Sequence, residues 1–405
     1  MNINSQEVTT FILAGGKGER LHPLTKDRAK PAVPFGGLYR IIDFPLSNAI
    51  NSGLRKIYVF TQYKSLSLQR HIREGWNIFS RELGEFIDMV PAQKRIGEEW
   101  YQGTADSVLQ NMNILEDERP MYILILSGDQ VYKMDYNRML RQHIEKKADL
   151  TISVFEVERK DARRFGVLKV EDDRITKFIE KPSEPAPDPG NEDFCLVSMG
   201  IYIFTLEALI RNIMDDAKRT DSTHDFGKDI IPSMIGKYNL YAYRFIDENK
   251  KETKYWKDIG TIDSYWESNM DLVNLDPLLN LYDRSWPIRT FQEQFPPAKT
   301  VFSGENRKAS VTDSMISGGC IISGARVNHS VLSTNVRVNS YCEINDCIIF
   351  DNVNVGRYSR LKKVIIDKNV QVPRGTEIGY NPEYDRKRFF VSENGVAVVP
   401  KNYKW

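Results

Sequence analysis

Beyond about residue 300, branched apolar residues recur at steps of five or six, with small or polar residues between them. The series runs Ile316, Ile322, Val327, Leu332, Val338, Ile344, Ile349, Val355, Leu361, Ile366, Val372, Ile378. Such a period matches hexapeptide repeats, in which each short strand forms one side of a triangular prism and stacks its inward residue on the coil below. A left-handed parallel β-helix is therefore expected over residues 301–405. An ordinary β-sandwich with chance spacing would not hold twelve positions in step with glycine and asparagine at the corners.

The preceding sequence has a different texture. Short apolar runs at residues 9–13, 57–61, 122–126 and 150–157 read as strands, and the stretches at 63–73 and 105–115 between them suit helices. Continuous apolar strands alternating with helices imply a Rossmann-like α/β domain around a mostly parallel sheet, with ligands beyond the carboxyl ends of its strands. We expect this domain over residues 1–275 and a linker over 276–300, with an exposed proline-rich loop at 181–190. A chain of 405 residues is too long for one ordinary core, so two domains fit its length.

Composition narrows the function. Lys and Arg number 56 against 55 Asp and Glu, so no global positive field draws the chain to nucleic acid or to a membrane. The four cysteines form no CxxC pair, which suits a reducing cytoplasm, and the amino terminus has no secretory character. No apolar run approaches the ~20 residues that would span a bilayer.

Any anion site must then be local, and residues 11–25, FILAGGKGERLHPLT, offer a candidate, the other reading being a tight glycine turn with solvated charges. Gly15, Gly16 and Gly18 follow a strand, where backbone amides freed of side-chain bulk converge on phosphate, and Lys17 and Arg20 add charge. A Walker loop needs Lys-Ser/Thr after its last glycine, and a dinucleotide fingerprint needs glycine where Leu21 stands; neither is present. Asp129 closes the run YILILSGD at a strand's carboxyl end, and a reaction joining two phosphate anions needs a hard cation held by carboxylate oxygen. Asp129 and Asp258 are the candidate Mg2+ ligands, although a carboxylate placed like Asp258 is more often a surface residue or helix cap. Asp225-Phe226-Gly227 spells the DFG of protein kinases, yet no HRD loop and no VAIK-type strand accompany it. The five histidines show no metal-binding spacing.

The runs GGKGERL, PLT, RAKPAVPFGG, RIIDFPLSN and NSGL, continued by WYQGTAD, SGDQVYKMDY, FIEKP, SMGIY, HDFGKDIIP and YWKDIGT, make the chain similar to bacterial glucose-1-phosphate adenylyltransferases. The resemblance covers nearly the whole chain and implies synthesis of ADP-glucose from ATP and glucose 1-phosphate, for glycogen formation. It implies Asp129 and Asp258 as the metal pair, with Arg20 and Lys30 neutralising charge. It further implies a glucose 1-phosphate site of Tyr101, Gly166, Glu180, Lys181 and Ser198, with the base read by Gln93 and the backbone near Gly103. A UTP- or GTP-using relative and a non-catalytic regulatory subunit are the alternatives. Acyl transfer, another activity found on hexapeptide repeats, would have only His329 as an obvious base in that region. The resemblance also implies a homotetramer regulated by a metabolite. Arg28 and Arg40 are the candidate effector contacts, and Asp27, Pro34 and Asp117 stand where some relatives carry basic residues, so a weakened or altered response is expected.

Overall fold

A computed structural model describes residues 5–93, 100–188 and 191–405. Pro189 and Gly190, the end of the expected proline-rich loop, lie outside the described residues.

The amino-terminal domain is built on strands β1 (Val8–Leu13), β2 (Lys56–Thr61), β3 (Phe86–Pro91), β4 (Tyr122–Ser127), β5 (Gln130–Tyr132), β6 (Leu150–Glu158), β7 (Gly166–Glu171), β8 (Arg174–Glu180), β9 (Phe194–Thr205), β10 (Leu240–Arg244) and β11 (Trp256–Asp258). Nine of them form one sheet in the order β3-β2-β1-β4-β9-β6-β10-β8-β7, and β5 pairs separately with β11. Pairing is parallel from β3 through β4 and between β6 and β10, and antiparallel wherever β9 is a partner. The sheet is thus mixed, parallel on the side that carries the glycine loop. Its helices are α1 (Asp43–Asn51), α2 (Leu66–Gly75), α3 (Thr104–Leu109), α4 (Met112–Glu118), α5 (Tyr136–Glu145), α6 (Leu206–Asp216), α7 (Ile231–Met234) and α8 (Ile262–Met270). The expected single helix at 105–115 is two short ones, because Gln110 and Asn111 interrupt it. Separate apolar clusters cover the two faces of the sheet, around Ile12, Val59 and Leu126 on one and Phe11, Ile125 and Phe204 on the other.

The repeat domain is built on three sheets, parallel except for an antiparallel edge strand at Phe390–Val391, with a separate antiparallel pair of Ser303–Gly304 and Arg307–Lys308. Ile322, Val338, Val355 and Val372 stack in one, Val327, Ile344, Leu361 and Ile378 in the second, and Ile316, Leu332, Ile349 and Ile366 in the third. Every residue of the apolar series except the half-buried Ile316 is buried, as a coil-stacked core requires. Each coil is slightly shorter than three hexapeptides, since successive partners in the first sheet differ by 16 or 17 residues. Corner residues take left-handed backbone. Asn335, Asn352 and Asn369 occupy one corner, with linked amides, but His329, Lys363, Tyr341 and Tyr358 also take positive φ at corners where glycine or asparagine was expected.

The outward residues of the third sheet, Val331, Ile348 and Ile365, are buried against Phe35, Ile41 and Tyr265 of the first domain and Leu279 of the segment that follows it. Both faces of that sheet therefore lie in apolar surroundings, so the two domains share a core.

One buried titratable group lies on α5, packed edge-on against Tyr122. His143 on α5 is 1% exposed, its Nδ1 lies 2.8 Å from Thr151 Oγ1, and Nε2 has no partner among the described residues. Burial lowers its pKa from 6.5 to about 4. The unfolded chain therefore binds more protons in this window, and the stability that neutral His143 confers above pH 6.5 is lost as pH falls toward 4. We expect on the order of 3 kcal/mol of acid sensitivity from this group. Replacement by glutamine should flatten the dependence of Tm on pH in that interval.

Candidate active site

Strands β1, β2 and β4 end side by side, and a cleft of about 820 Å3 opens beyond them. Its floor comes from the strand ends, including Leu13, Phe60 and Ser127, and its rim from the glycine loop. Gly18 turns with φ +64°, and a Cβ there would lie 3.0 Å from Lys30 Cβ and 3.1 Å from Thr25 Cγ2. Glycine at this position lets the loop fold onto the next segment, where Thr25 Oγ1 donates to Gly18 O at 2.9 Å.

That fold brings Lys30 into the cleft. Its Nζ lies 2.7 Å from Asp129 Oδ2 and 3.1 Å from Asp258 Oδ1, with its side chain only 8% exposed. The two carboxylates meet because β5 and β11 pair antiparallel with Asp258 opposite Gln130. Gln130 anchors this ribbon, donating to Met199 O at 2.7 Å and accepting from Trp256 Nε1 at 3.1 Å. Ser127 Oγ donates to the remaining oxygen of Asp129. Burial works against both charges, yet the two carboxylates outweigh it and raise the Lys30 pKa. Likewise the pKa of Asp129 is lowered, burial opposing its charge and Lys30 more than compensating. Arg20 also lines the cleft, and its guanidinium makes no hydrogen bond or ion pair among the described residues.

The opposite wall carries Tyr101, Gly103 and Glu180. Tyr101 accepts hydrogen bonds at its hydroxyl from Asn111 Nδ2, 2.8 Å, and at its carbonyl from Gln62 Nε2, 3.3 Å. Gly166 faces Glu180 across the β7–β8 ladder, where a Cβ would come within 2.8 Å of Glu180 Oε2, so its role is to leave room. Lys181, with φ +47°, places Nζ 3.0 Å from Glu180 Oε1 and is 60% exposed. Ser198 lies buried beneath the wall, its Oγ accepting from Gly200 N at 3.1 Å across an irregularity in β9.

Of the residues singled out in the sequence, Gly15, Gly16, Gly18, Arg20, Lys30, Tyr101, Gly103, Asp129 and Glu180 line the cleft, and Asp258 touches it through Lys30. Gly166, Lys181, Ser198 and Gln93 do not line it. Arg28 and Arg40 sit at the domain junction instead. Arg28 is 4% exposed and paired through two hydrogen bonds, 2.7 and 3.1 Å, with Asp367 of the repeat domain, so it offers no free cationic face. Arg40 Nη1 donates to Ser67 O and Oγ at 2.9 and 3.0 Å.

Sequence reasoning missed Gln62, Gly200, Tyr202 and the Asp225-Phe226-Gly227 tripeptide, all of which line the cleft. Asp225 caps a helical turn, accepting from Gly227 N and Lys228 N at 2.9 and 3.1 Å, and its other oxygen accepts from Thr104 Oγ1 at 3.0 Å. The run HDFGKDIIP carries part of the family resemblance and was the available signal, but it gave Asp225, Phe226 and Gly227 no place in the site.

The family model described as "Nucleotidyl transferase" matches residues 9–274, and that described as "GlmU-like, C-terminal hexapeptide" matches residues 296–399. Fold and cleft together thus define a nucleotidyl transferase with an appended repeat domain. The glucose-1-phosphate adenylyltransferase of Methylococcus capsulatus is 54% identical over 98% of this chain and 93% of its own length. Those of Koribacter versatilis and Methylobacillus flagellatus are each 52% identical over 98% of this chain, covering 96% and 93% of their own lengths. The chain belongs to the glucose-1-phosphate adenylyltransferase family.

Proposed function

We propose that this chain converts ATP and α-D-glucose 1-phosphate into ADP-glucose and pyrophosphate, and so supplies activated glucose for α-glucan synthesis. The observation that carries this reading is Lys30, clasped by Asp129 and Asp258 inside a glycine-rich cleft. A phosphate oxygen of the sugar attacks the α-phosphorus of ATP, forming a new P–O bond while the bond from that phosphorus to the β-phosphate bridge breaks. Since the nucleophile belongs to the substrate, the protein's tasks are alignment and neutralisation of charge on the departing pyrophosphate. Arg20 and Lys30 supply positive charge, the glycine loop supplies backbone amides, and the wall containing Tyr101 and Glu180 orients the sugar phosphate.

Nucleotidyl transferases generally use a divalent metal, and we assign Mg2+ to Asp129 and Asp258. Their oxygens share one ammonium, so both already sit where a cation is held. No group of three or more His, Cys, Asp or Glu suited to a metal occurs among the described residues. A carboxylate pair suits magnesium, which completes its shell with water and substrate phosphate. When bound, the ion would polarise phosphate oxygens.

We further propose a homotetramer in the cytoplasm, where four free, buried cysteines suit a reducing environment. Its response to sugar bisphosphate and adenylate effectors is weakened, since Arg28 is committed to Asp367. No helix among the described residues is long and apolar enough to cross a membrane.

Pyrophosphate release from ATP, UTP and GTP against glucose and mannose 1-phosphates tests the assignment. ATP with glucose 1-phosphate should give a kcat/KM higher than any other pair by about a hundredfold. Preference for UTP or GTP would make the chain a different sugar nucleotidyltransferase, and release from no pair would make it a regulatory subunit.

A further inference from the structure

One wall of the cleft is held from behind by residues that do not line it. Asp216, the last residue of α6, is 6% exposed, and its Oδ1 accepts from Ser222 Oγ at 2.7 Å while Oδ2 lies 2.8 Å from His224 Nδ1. Ser222 Oγ in turn accepts the His224 N–H at 2.9 Å. His224 has φ +54°, a conformation that persists in a residue with a Cβ only when its surroundings impose it. Asp229 grips the same loop from the other side, its Oδ2 accepting from Thr223 N, Thr223 Oγ1 and Asp225 N at 3.2, 2.7 and 3.2 Å.

With these amides engaged, the loop's carbonyls face α3. His224 O accepts from Ala105 N at 2.9 Å and Asp106 N at 3.2 Å. Gly103 is pressed so closely that a Cβ would lie 2.2 Å from His224 O and 2.4 Å from Thr223 O. The two segments are also joined side by side, since Thr104 Oγ1 donates to Asp225 Oδ2 and accepts from Phe226 N, both at 3.0 Å. Both segments line the cleft. Gly227 packs directly on Glu180, where a Cβ would meet Oε2 at 2.7 Å, so the joined segments form one wall with it.

We infer that Asp216 and His224 are positioning residues: they hold residues 222–225 in the one backbone arrangement that fixes the Tyr101–Gly103 segment and the Asp225–Gly227 segment as a sugar-phosphate-binding wall. This deepens, and rests on, the function proposed above. Lys30, Asp129 and Asp258 stand on other elements, so loosening this clasp weakens binding and spares the chemical step.

The test compares Asp216→Ala, His224→Ala and His224→Asn with the parent by steady-state kinetics and thermal unfolding. Both alanine variants should raise KM for glucose 1-phosphate roughly tenfold and leave kcat within about twofold. Asparagine, which tolerates left-handed backbone and keeps a polar partner for Asp216, should restore most of the loss. Unchanged KM in the alanine variants, a fall in kcat at constant KM, or a His224→Asn variant as impaired as His224→Ala would overturn the inference. If His224→Ala does not fold, Asp216→Ala carries the comparison. A parent that releases no pyrophosphate from ATP and glucose 1-phosphate would instead count against the proposed function. The clasp would then be judged by the KM of whichever sugar phosphate the parent does use, or, for a parent that turns over none, by the Kd of glucose 1-phosphate.

Discussion

Replacing Asp129 by asparagine should lower kcat by about two to three orders of magnitude while leaving the fold intact. Asparagine keeps the volume of the side chain and an oxygen to accept from Ser127, so the loss is chiefly one of charge. That charge lowers the energy of the Lys30 ammonium and, in the mechanism proposed, belongs to the pair that receives the metal. Removing a preorganised electrostatic group from a site where charge develops during reaction typically costs about 10^2- to 10^3-fold in turnover. Folding should suffer far less. The Asp129 side chain is 32% exposed, and Lys30 keeps Asp258 at 3.1 Å, so neither charge is left buried alone. We expect a stability loss of about 1–2 kcal/mol, below the ~3–5 kcal/mol of a buried charge left without any partner. Pyrophosphate release alongside thermal unfolding measures both, and a near-normal rate in a folded variant would remove Asp129 from the mechanism.

The legibility of this site in the sequence depended on how far each residue lies from its partners along the chain. The glycine loop, Asp129 and the stacked branched residues of the repeat domain are local signals: a strand followed by glycines, a strand followed by aspartate, a period repeated. Asp258 was ambiguous because its meaning comes from the β5–β11 pairing, which brings together residues 129 positions apart, the difference between 258 and 129. Gln62, Gly200 and Tyr202 were not legible for the same reason. They enter the cleft through sheet order, and the bulge near Gly200 turns one stretch of β9 toward it. Asp225 stood in a legible run, yet its place could not be read there, since its carboxylate caps a helical turn and accepts from Thr104, 121 residues away. Left-handed corners at Tyr341 and Tyr358 went unforeseen because the stack of coils, not the residue's own preference, imposes them. The Tyr341 and Tyr358 rings stack at 4.8 Å between centroids, a contact that offsets part of that cost.

Truncating Asp367 should destabilise the fold strongly. In the sequence it lies within an unremarkable stretch of the repeat domain, 339 residues from Arg28, and nothing local marks it. In the fold the two side chains are 4% and 3% exposed and meet through paired hydrogen bonds across the domain junction. Arg28 also donates to Leu24 O at 3.1 Å, fixing the turn that leads to Lys30 two residues on. Asp367→Ala strands the guanidinium in an environment without another carboxylate hydrogen bond, and loss of one partner of a buried ion pair costs about 3–5 kcal/mol. The unfolding midpoint in denaturant should fall accordingly, and kcat with it, because the segment bearing Lys30 loses its anchor. The double variant Arg28→Met with Asp367→Leu should recover much of the stability, since an apolar pair of similar volume carries no desolvation penalty. Recovery in the double variant would show that the single change is costly for the charge it leaves buried. A midpoint unchanged in Asp367→Ala would mean that the shared apolar core around Val331, Ile348 and Ile365 holds the domains together without the ion pair.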